Sequence, residues 1–418
     1  MRRMAFTYRD GALCAEQVPL EDIARRFGTP CYVYSRAAIE RHYGEFAHAL
    51  AGRKALVAYS VKANSNLGVL ALLARLGAGF DIVSGGELAR VLAAGGDARK
   101  VLFSGVGKTE AEIAQALGAG ILCLNLESEA ELQRVAQVAA RLGKRAPIAL
   151  RVNPDVDAKT HPYISTGLRQ NKFGVPYADA ERLYREAARM PQVSVVGIGC
   201  HIGSLMASAG PFVDAAGRIL ALAERLEGLG VALQHIDLGG GFGIRYRDEA
   251  PASIGDFVDG ALGVLAGRAQ TLILDPGRAI VGNAGVLLAR VEYVKRSAEK
   301  SFLVVDAAMN DLIRPALYGA WHEVLPVRAS QAPAGGACDV VGPVCESADF
   351  LAKDRALAAQ QGDLLAVMSA GAYAMVMSSN YNSRPRGAEV LVDGGRAHLV
   401  RRRETISELF AAESIPAW

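Results

Sequence analysis

The sequence has few of the features that mark secreted, membrane-spanning or metal-binding proteins. Its 418 residues contain six cysteines, and none forms a Cys-x-x-Cys pair or a metal-ligand spacing. This pattern indicates reduced thiols rather than disulfides or a metal site. Since there is no uncharged apolar run of about 18 residues, we expect no membrane-spanning helix. The first residues contain no apolar signal-peptide core, so we expect a cytoplasmic protein.

The sequence also has little excess charge of either sign. Lysine and arginine number 46 against 43 aspartates and glutamates, which gives a net charge of +3, and the two signs are interspersed. This balance argues against a nucleic-acid or anionic-membrane partner. We interpret the one basic run, Arg401–Arg403, as the solvated start of a helix. Because 51% of the residues are hydrophobic, a disordered chain is excluded.

The middle of the chain repeats one pattern, in which a short apolar run is followed by a longer amphipathic stretch. The predicted strands are residues 55–64, 79–84, 101–106, 121–127, 147–154, 193–201, 233–239 and 271–275. Helical spacing occupies the segments between them, and Ser84 and Ser128 stand where N-caps are expected. Such alternation is typical of a parallel sheet covered by helices. Eight units in succession predict a closed (β/α)8 barrel, with a doubly wound sheet as the alternative.

After residue 280 the pattern changes to strands separated by turns. Residues 285–295, 300–306, 337–344, 363–368 and 388–392 are the predicted strands, and residues 30–35 also have strand character. This predicts a mainly antiparallel β domain built from residues 1–35 and 281–418, next to a barrel at residues 36–280. A short amphipathic helix is predicted at residues 404–412.

Polar residues cluster where the predicted barrel strands end, which is where barrel enzymes carry their chemistry. The residues concerned are Lys62 after the first strand, His201 to Ser204 after the sixth, Gly239, Gly240 and Gly241 after the seventh, and Asp275, Gly277 and Arg278 after the eighth. A lysine at the end of an apolar strand needs a charge partner or a covalent adduct. Consecutive glycines present backbone N–H groups to a phosphate, and a nearby arginine adds a bidentate contact.

A cofactor with an aldehyde, a phosphate and a basic ring nitrogen would engage all of these groups. Lys62 would bind the aldehyde covalently, and the glycine run would hold the phosphate. Asp275 would keep the ring nitrogen protonated, and the His201 imidazole would lie against the ring. The sequence therefore predicts a pyridoxal phosphate site.

The chain resembles the diaminopimelate decarboxylases, a family of barrel-type, alanine-racemase-like pyridoxal phosphate enzymes, over nearly its full length. The motifs that carry the resemblance are Tyr59–Asn66, Phe80–Glu87, His201–Ser204, Gly239–Gly243, Met309–Tyr318, Cys345–Ser347 and Gly371–Tyr373 followed by Asn380–Pro385. Any one of these would be weak, but seven in the right order are specific. The resemblance implies decarboxylation of meso-2,6-diaminopimelate to L-lysine and a homodimer in which the β domain of one subunit completes the other's active site.

The resemblance also implies a role for individual residues. Ser204, the glycine run and Arg278 would contact the phosphate, and Tyr373 would touch both cofactor and substrate. Arg278, Arg314 and Tyr318 would hold the substrate's carboxylates and distal end. Cys345 would protonate the substrate carbon after CO2 leaves, and Glu346 would bind the distal amino group.

Four positions depart from the family pattern. Asp275 stands where glutamate is usual, Leu205 where glutamine is common, and Ala308 and Ala348 where glycine is usual. The methyl groups that Ala308 and Ala348 add in place of glycine would strain the backbone if φ were positive at those positions.

Other functions stay open from the residues alone. Ornithine, arginine or carboxyspermidine decarboxylation would use the same cofactor groups, and so would amino-acid racemisation. A non-catalytic pyridoxal phosphate carrier would keep Lys62 but need no substrate contacts. A phosphosugar-type barrel enzyme would share only the phosphate-binding residues.

Overall fold

A computed structural model describes residues 5–156, 172–329 and 336–418. These residues form two compact units. One comprises His42–Ile244 and Glu249–Ala279, and the other comprises Met1–Arg41, Arg245–Asp248 and Ile280–Trp418.

The first unit is a closed barrel of parallel strands, which confirms the predicted barrel and rules out the doubly wound alternative. Eight strands follow one another around the ring, and the last pairs with the first. They are Ala55–Ser60, Gly79–Ile82, Val101–Phe103, Cys123–Leu126, Ala146–Asn153, Val193–Gly199, His235–Asp237 and Thr271–Leu274. A two-residue strand, Val175–Pro176, adds to the fifth.

A helix follows almost every barrel strand. The helices are Leu67–Arg75, Gly85–Ala93, Glu110–Ala119, Glu129–Arg141, Tyr177–Arg189, Gly210–Gly228 and Ile254–Val264. Ser84 and Ser128 cap two of them as predicted, since each hydroxyl accepts the backbone N–H three residues on, at 3.2 Å. Buried apolar side chains such as Leu132, Val135 and Ala139 line the inner face of one helix at intervals of three and four residues. This spacing gives each helix the apolar stripe that covers the sheet.

The second unit is built on a mostly antiparallel sheet, as predicted. Its strands are Cys31–Ser35, Gly285–Arg296, Ser301–Val305, Val324–Pro326, Ala337–Val341, Phe350–Ala356, Leu364–Val367, Ala388–Asp393 and Arg396–Arg401. Two of its pairings are parallel, including that of Cys31–Ser35 with Ala388–Asp393. Buried side chains such as Val33, Leu288 and Val390 form its core.

Short elements flank this sheet. Strands Phe6–Arg9, Ala12–Ala15 and Val18–Pro19 form a separate small sheet, and the helices Leu20–Phe27, Arg36–Ala49 and Arg314–Tyr318 complete the list of longer elements. In the part of the chain that the structure describes, no helix has the length and apolar character needed to cross a membrane.

The structure corrects two expectations at the C-terminus. The predicted helix at 404–412 is a short 3-10 helix, Ile406–Phe410. Arg401–Arg403 does not start a helix, because Arg401 ends the last strand of the sheet. Arg402 pairs with Glu408, and Arg403 donates to the Pro30 carbonyl at 2.8 Å, so these charges are used in local contacts.

Candidate active site

Lys62 lies on a 3-10 turn, Val61–Ala63, directly after the first barrel strand. Its Nζ lies 3.3 Å from Asp81 Oδ2, and its side chain is 38% exposed. Gly277, after the eighth strand, packs against this turn so closely that a Cβ there would lie 2.9 Å from Ala63 Cβ. Any side chain at position 277 would therefore displace the turn that carries Lys62.

Asp81 is a buried carboxylate at the centre of this end of the barrel. Besides Lys62 it accepts hydrogen bonds from Ser104 Oγ at 2.6 Å and Ser60 Oγ at 3.3 Å. Sequence reasoning missed it as a site residue. The sequence did contain a signal for Asp81, because it is an acidic residue inside an otherwise apolar strand. It also lies within Phe80–Glu87, one of the motifs that carry the family resemblance.

A second carboxylate that was not predicted from the sequence, Asp237, ends the seventh barrel strand, His235–Asp237. Asp237 accepts hydrogen bonds from the Gly239 backbone N–H at 2.9 Å and from Asn125 Nδ2 at 3.4 Å. Burial raises the pKa of Asp237 to about 7. Arg151 pairs with Glu127 at 3.3 Å and lines the same pocket as Lys62, Asp81 and Asp237.

His201 and Asp275 lie side by side at the ends of the sixth and eighth strands. His201 Nδ1 is 3.9 Å from Asp275 Oδ1 and accepts the Gly240 backbone N–H at 3.2 Å, so the neutral ring carries its proton on Nε2. Burial, with the nearby cations Arg151 and Lys62, lowers the pKa of His201 well below its usual value. A neutral imidazole suits stacking on a flat ring.

Two residues that line this pocket, Asn125 and Asp275, each have a buried oxygen without a hydrogen-bond partner among the described residues, and only Asp275 is an acid. Its Oδ1 is buried and has no hydrogen-bond partner among the residues that the structure describes. Burial, with the negative charges of Asp81 and Asp237, raises the pKa of Asp275 well above its usual value. A cationic N–H donor placed at Oδ1 would remove this penalty, as the ring nitrogen of pyridoxal phosphate would.

The glycine run, Ser204 and Arg278 come together as predicted. Arg278 Nη2 lies 3.4 Å from Ser204 Oγ, and Met206 donates its backbone N–H to the Gly241 carbonyl at 2.9 Å. Gly241 has φ +91°, and a Cβ on it would lie 2.0 Å from the Gly203 carbonyl oxygen. Only glycine permits this approach of the two loops, which gathers backbone and side-chain donors of the kind that hold a phosphate.

The remaining predicted site residues belong to the second unit. Arg314 is buried, with its guanidinium carbon 5.1 Å from the Tyr246 ring and 5.9 Å from the Tyr318 ring. Cys345 and Glu346 are exposed on a loop. Tyr373 is half-buried and has φ +54°, an uncommon backbone conformation for a tyrosine.

The loop that carries Cys345 is held in shape by Asp349. This buried carboxylate accepts the backbone N–H groups of Val344 at 2.7 Å and Met309 at 2.6 Å. Asn382 Oδ1 accepts the Cys345 backbone N–H at 2.9 Å. The thiol is therefore exposed on a loop whose backbone is fixed.

Three departures from the family pattern, Ala308, Ala348 and Leu205, differ in their effect on the backbone. Ala308 and Ala348 do not have positive φ angles, so their methyl groups add no backbone strain there. Leu205 has φ +66°, which costs a leucine of order 1–2 kcal/mol. Leu205 directly follows Ser204, so this strain lies beside the hydrogen-bond donors of the kind that hold a phosphate.

Comparisons with known proteins agree with this geometry. Residues 36–282 match the family model described as "Pyridoxal-dependent decarboxylase, pyridoxal binding domain". The chain is 61% identical to a diaminopimelate decarboxylase of Pseudomonas aeruginosa, over 98% of this chain and 99% of that protein. It is 58% identical to one of Vibrio cholerae, with the same coverage.

Solved structures give the same result. The diaminopimelate decarboxylase of Helicobacter pylori complexed with L-lysine matches with TM-score 0.91 and 41% identity, covering 94% of this chain and 99% of that one. That of M. jannaschii, in co-complex with L-lysine, matches with TM-score 0.94 and 35% identity, covering 99% and 98%.

The barrel, the lysine at its mouth and the family match define a barrel-type, pyridoxal-dependent decarboxylase. Within that class, the chain belongs to the diaminopimelate decarboxylase family, which confirms the resemblance identified from the sequence motifs.

Proposed function

We propose that this chain removes one carboxylate of meso-2,6-diaminopimelate as CO2 and releases L-lysine, the last step of lysine biosynthesis. The structural observation that carries the substrate assignment is the buried guanidinium of Arg314, which lies close to two tyrosine rings. A buried arginine suits a substrate with a second carboxylate, because the carboxylate supplies a bidentate anionic partner. Ornithine and arginine lack that group.

The barrel residues would hold pyridoxal phosphate. Lys62 would bind its aldehyde. Its phosphate would be held by Ser204, Gly239–Gly241 and Arg278. Gly277 would keep the turn that carries Lys62 close to these phosphate-binding residues. Asp275 would accept the ring N–H at Oδ1, and His201 would lie flat against the ring. When bound, the cofactor withdraws electrons from the substrate's α carbon, so that the bond to its carboxylate can break.

The second-unit residues would select the substrate and return a proton. Arg314 and Tyr318 would bind the distal carboxylate, and Glu346 would bind the distal ammonium. Tyr373 would contact both the cofactor and the substrate. Arg278 would also contact a substrate carboxylate. The Cys345 thiol would donate its proton to the α carbon after CO2 departs.

We infer that the active protein is a homodimer with shared active sites, located in the cytoplasm. The exposure of Cys345 and Glu346 on a shaped loop supports a role in a partner's site. The six cysteines form no disulfide, and a thiol that donates protons has to stay reduced, which supports a reducing compartment.

The reaction is tested by offering the cofactor-loaded protein meso-diaminopimelate, ornithine, arginine and lysine separately, with CO2 and product measured. We expect L-lysine from meso-diaminopimelate alone. Release of CO2 from ornithine or arginine would move the assignment to another basic-amino-acid decarboxylase. Cofactor absorbance without CO2 from any substrate would instead indicate a carrier or a racemase.

The shared active site is tested by mixing two inactive variants, Lys62→Ala and Cys345→Ala. If the two residues come from different subunits, a hybrid dimer has one intact site, so about a quarter of wild-type activity returns after exchange at equal amounts. Mixing two portions of the same variant is the control. No recovery in the hybrid, with exchange verified by a size tag, would show that both residues act within one subunit.

A further inference from the structure

A fully buried histidine, His322, lies beside Arg314 in the second unit. Its Nε2 is 3.3 Å from Arg314 Nε, and its Nδ1 is 2.8 Å from the Met368 carbonyl oxygen. The Tyr246 ring, which contacts Arg314, also packs edge-on against His322 at 5.4 Å between ring centroids. His322, Met368 and Tyr246 have no part in the roles proposed above.

These two contacts determine where the His322 proton is. A carbonyl oxygen can only accept a hydrogen bond, so Nδ1 has to be the donor to Met368. A guanidinium nitrogen can only donate, so Nε2 has to carry the lone pair that accepts from Arg314. The ring is thus held neutral and in a single tautomer, in the way that outer residues orient metal-binding histidines.

The bond to His322 restricts how Arg314 can bind an anion. A planar guanidinium can grip a carboxylate with Nε and one Nη, or with its two Nη atoms. Because His322 occupies Nε, bidentate binding has to use the two Nη atoms. The Tyr246 and Tyr318 rings lie 5.1 and 5.9 Å from the guanidinium carbon, and the hydrogen bond to His322 restricts how the guanidinium can rotate.

We propose that His322 is a positioning residue that sets substrate specificity, by orienting the Nη atoms of Arg314 toward the carboxylate that the reaction leaves in place. This rests on the proposed function, in which Arg314 binds that carboxylate. His322 touches no reacting atom in this role. Its loss would weaken recognition of the distal carboxylate and leave the chemical step nearly unchanged.

The first test is His322→Phe, which keeps a flat ring and removes both hydrogen bonds. Loss of a hydrogen bond to a charged group predicts a KM for meso-diaminopimelate raised about tenfold, with kcat within about twofold of wild type. Calorimetric titration of the cofactor-loaded protein gives a readout without turnover. L-Lysine, which retains the distal carboxylate, should bind about tenfold more weakly, whereas 1,5-diaminopentane, which has no carboxylate, should bind as in wild type.

Two further variants separate positioning from packing. In His322→Gln, Oε1 can accept from Arg314 while Nε2 donates to Met368, so most of the L-lysine affinity should return. His235→Gln is the matched control in the barrel, because His235 is also buried and its Nε2 has no partner among the described residues. This control should change the melting temperature but not the preference for L-lysine over diaminopentane.

The inference is overturned if folded His322→Phe keeps the wild-type preference for L-lysine over diaminopentane, or if both ligands weaken equally. Should the Phe variant not fold, the same comparison is made with His322→Asn, whose side chain is too short to reach both partners. The two proposals can fail separately. If the His322 variants bind L-lysine more weakly but the wild-type protein releases no CO2 from meso-diaminopimelate, the proposed function is refuted and the role of His322 stands.

Discussion

Lys62 and Lys108 both follow barrel strands at the same end of the barrel, but their amines have different surroundings. Lys108 Nζ donates to the Gly105 carbonyl at 2.7 Å, the Asn125 carbonyl at 2.7 Å and Glu131 Oε1 at 2.8 Å. Its side chain is 1% exposed, so all three ammonium donors have partners inside the protein. Lys62 instead is 38% exposed and lies 3.3 Å from one carboxylate, in a polar pocket.

This difference is the one that we expect between a structural lysine and the reactive lysine proposed here. An amine with three short, directed hydrogen bonds is held in place and cannot approach a ligand. An amine at the edge of a pocket keeps room for a covalent partner. The same distinction holds for two buried acids, since Asp237 has a backbone donor at Oδ1 while Asp275 Oδ1 has none among the described residues.

The largest effect is expected for Lys62→Arg. Arginine keeps the positive charge beside Asp81 but cannot form the covalent link to an aldehyde, so we expect turnover to fall by about 10³-fold or more. The melting temperature should stay close to that of wild type. Substantial residual turnover in this variant would show that the reactive amine lies elsewhere.

Next is Lys108→Met, which should affect stability rather than chemistry. Removing the amine leaves Glu131 buried without its cation, at a cost of about 3–5 kcal/mol in the free energy of unfolding. The control is Arg141→Met, which removes an exposed partner of Glu110 and should cost about 1 kcal/mol or less. Equal losses in the two variants, measured by denaturant titration, would contradict the structural role of Lys108.

Asp237→Asn should change how stability depends on pH. Burial raises the pKa of Asp237 to about 7, whereas the pKa of an aspartate in an unfolded chain is about 3.9. Between these values the folded chain holds a proton that the unfolded chain has released, so this group lowers stability as pH rises through the window. Asparagine keeps an oxygen for the Gly239 N–H and cannot ionise.

The melting temperature of the variant, relative to that of wild type, should therefore rise by about 3 °C or more as the pH is raised from about 5 to about 8. Thermal melting of both proteins across this range is the measurement. Parallel curves would mean that Asp237 does not hold its proton in the folded state.

The smallest effect is expected for Asp275→Glu, which restores the residue usual in the family. The longer side chain should still reach the cofactor's ring nitrogen, so turnover should not fall. Asp275→Asn is the matched comparison, and its amide cannot hold the ring proton, so it should lower turnover by about 10²-fold or more. A clear loss in the Glu variant would count against placing Asp275 at that nitrogen.

Much of the fold could be predicted because barrel strands and helices carry strong periodic patterns. The observed first strand, Ala55–Ser60, ends earlier than predicted, because Val61–Ala63 turns to present Lys62. Several strands were not predicted, and the two longest of them are Phe350–Ala356 and Arg396–Arg401. Both lie at edges of the sheet, where charged side chains are tolerated and the apolar alternation disappears.

The candidate site was predictable where it lies at strand ends and not where it lies inside the barrel. The rule that barrel chemistry follows the strands located Lys62, His201 and Asp275, and the structure brings them to one pocket. Asp81 and Asp237 sit within strands, and each accepts a hydrogen bond from a residue of another barrel strand. Their partners depend on the register between strands, which a single sequence does not specify.

The exposed Cys345 has a practical consequence. The other five cysteines are buried, so a small thiol-selective reagent should label the folded chain at one position without any engineered handle. Because that loop would be covered in the homodimer that we propose, the labelling rate should fall as protein concentration rises. The enzyme would thereby report its own assembly through the reactivity of a native side chain.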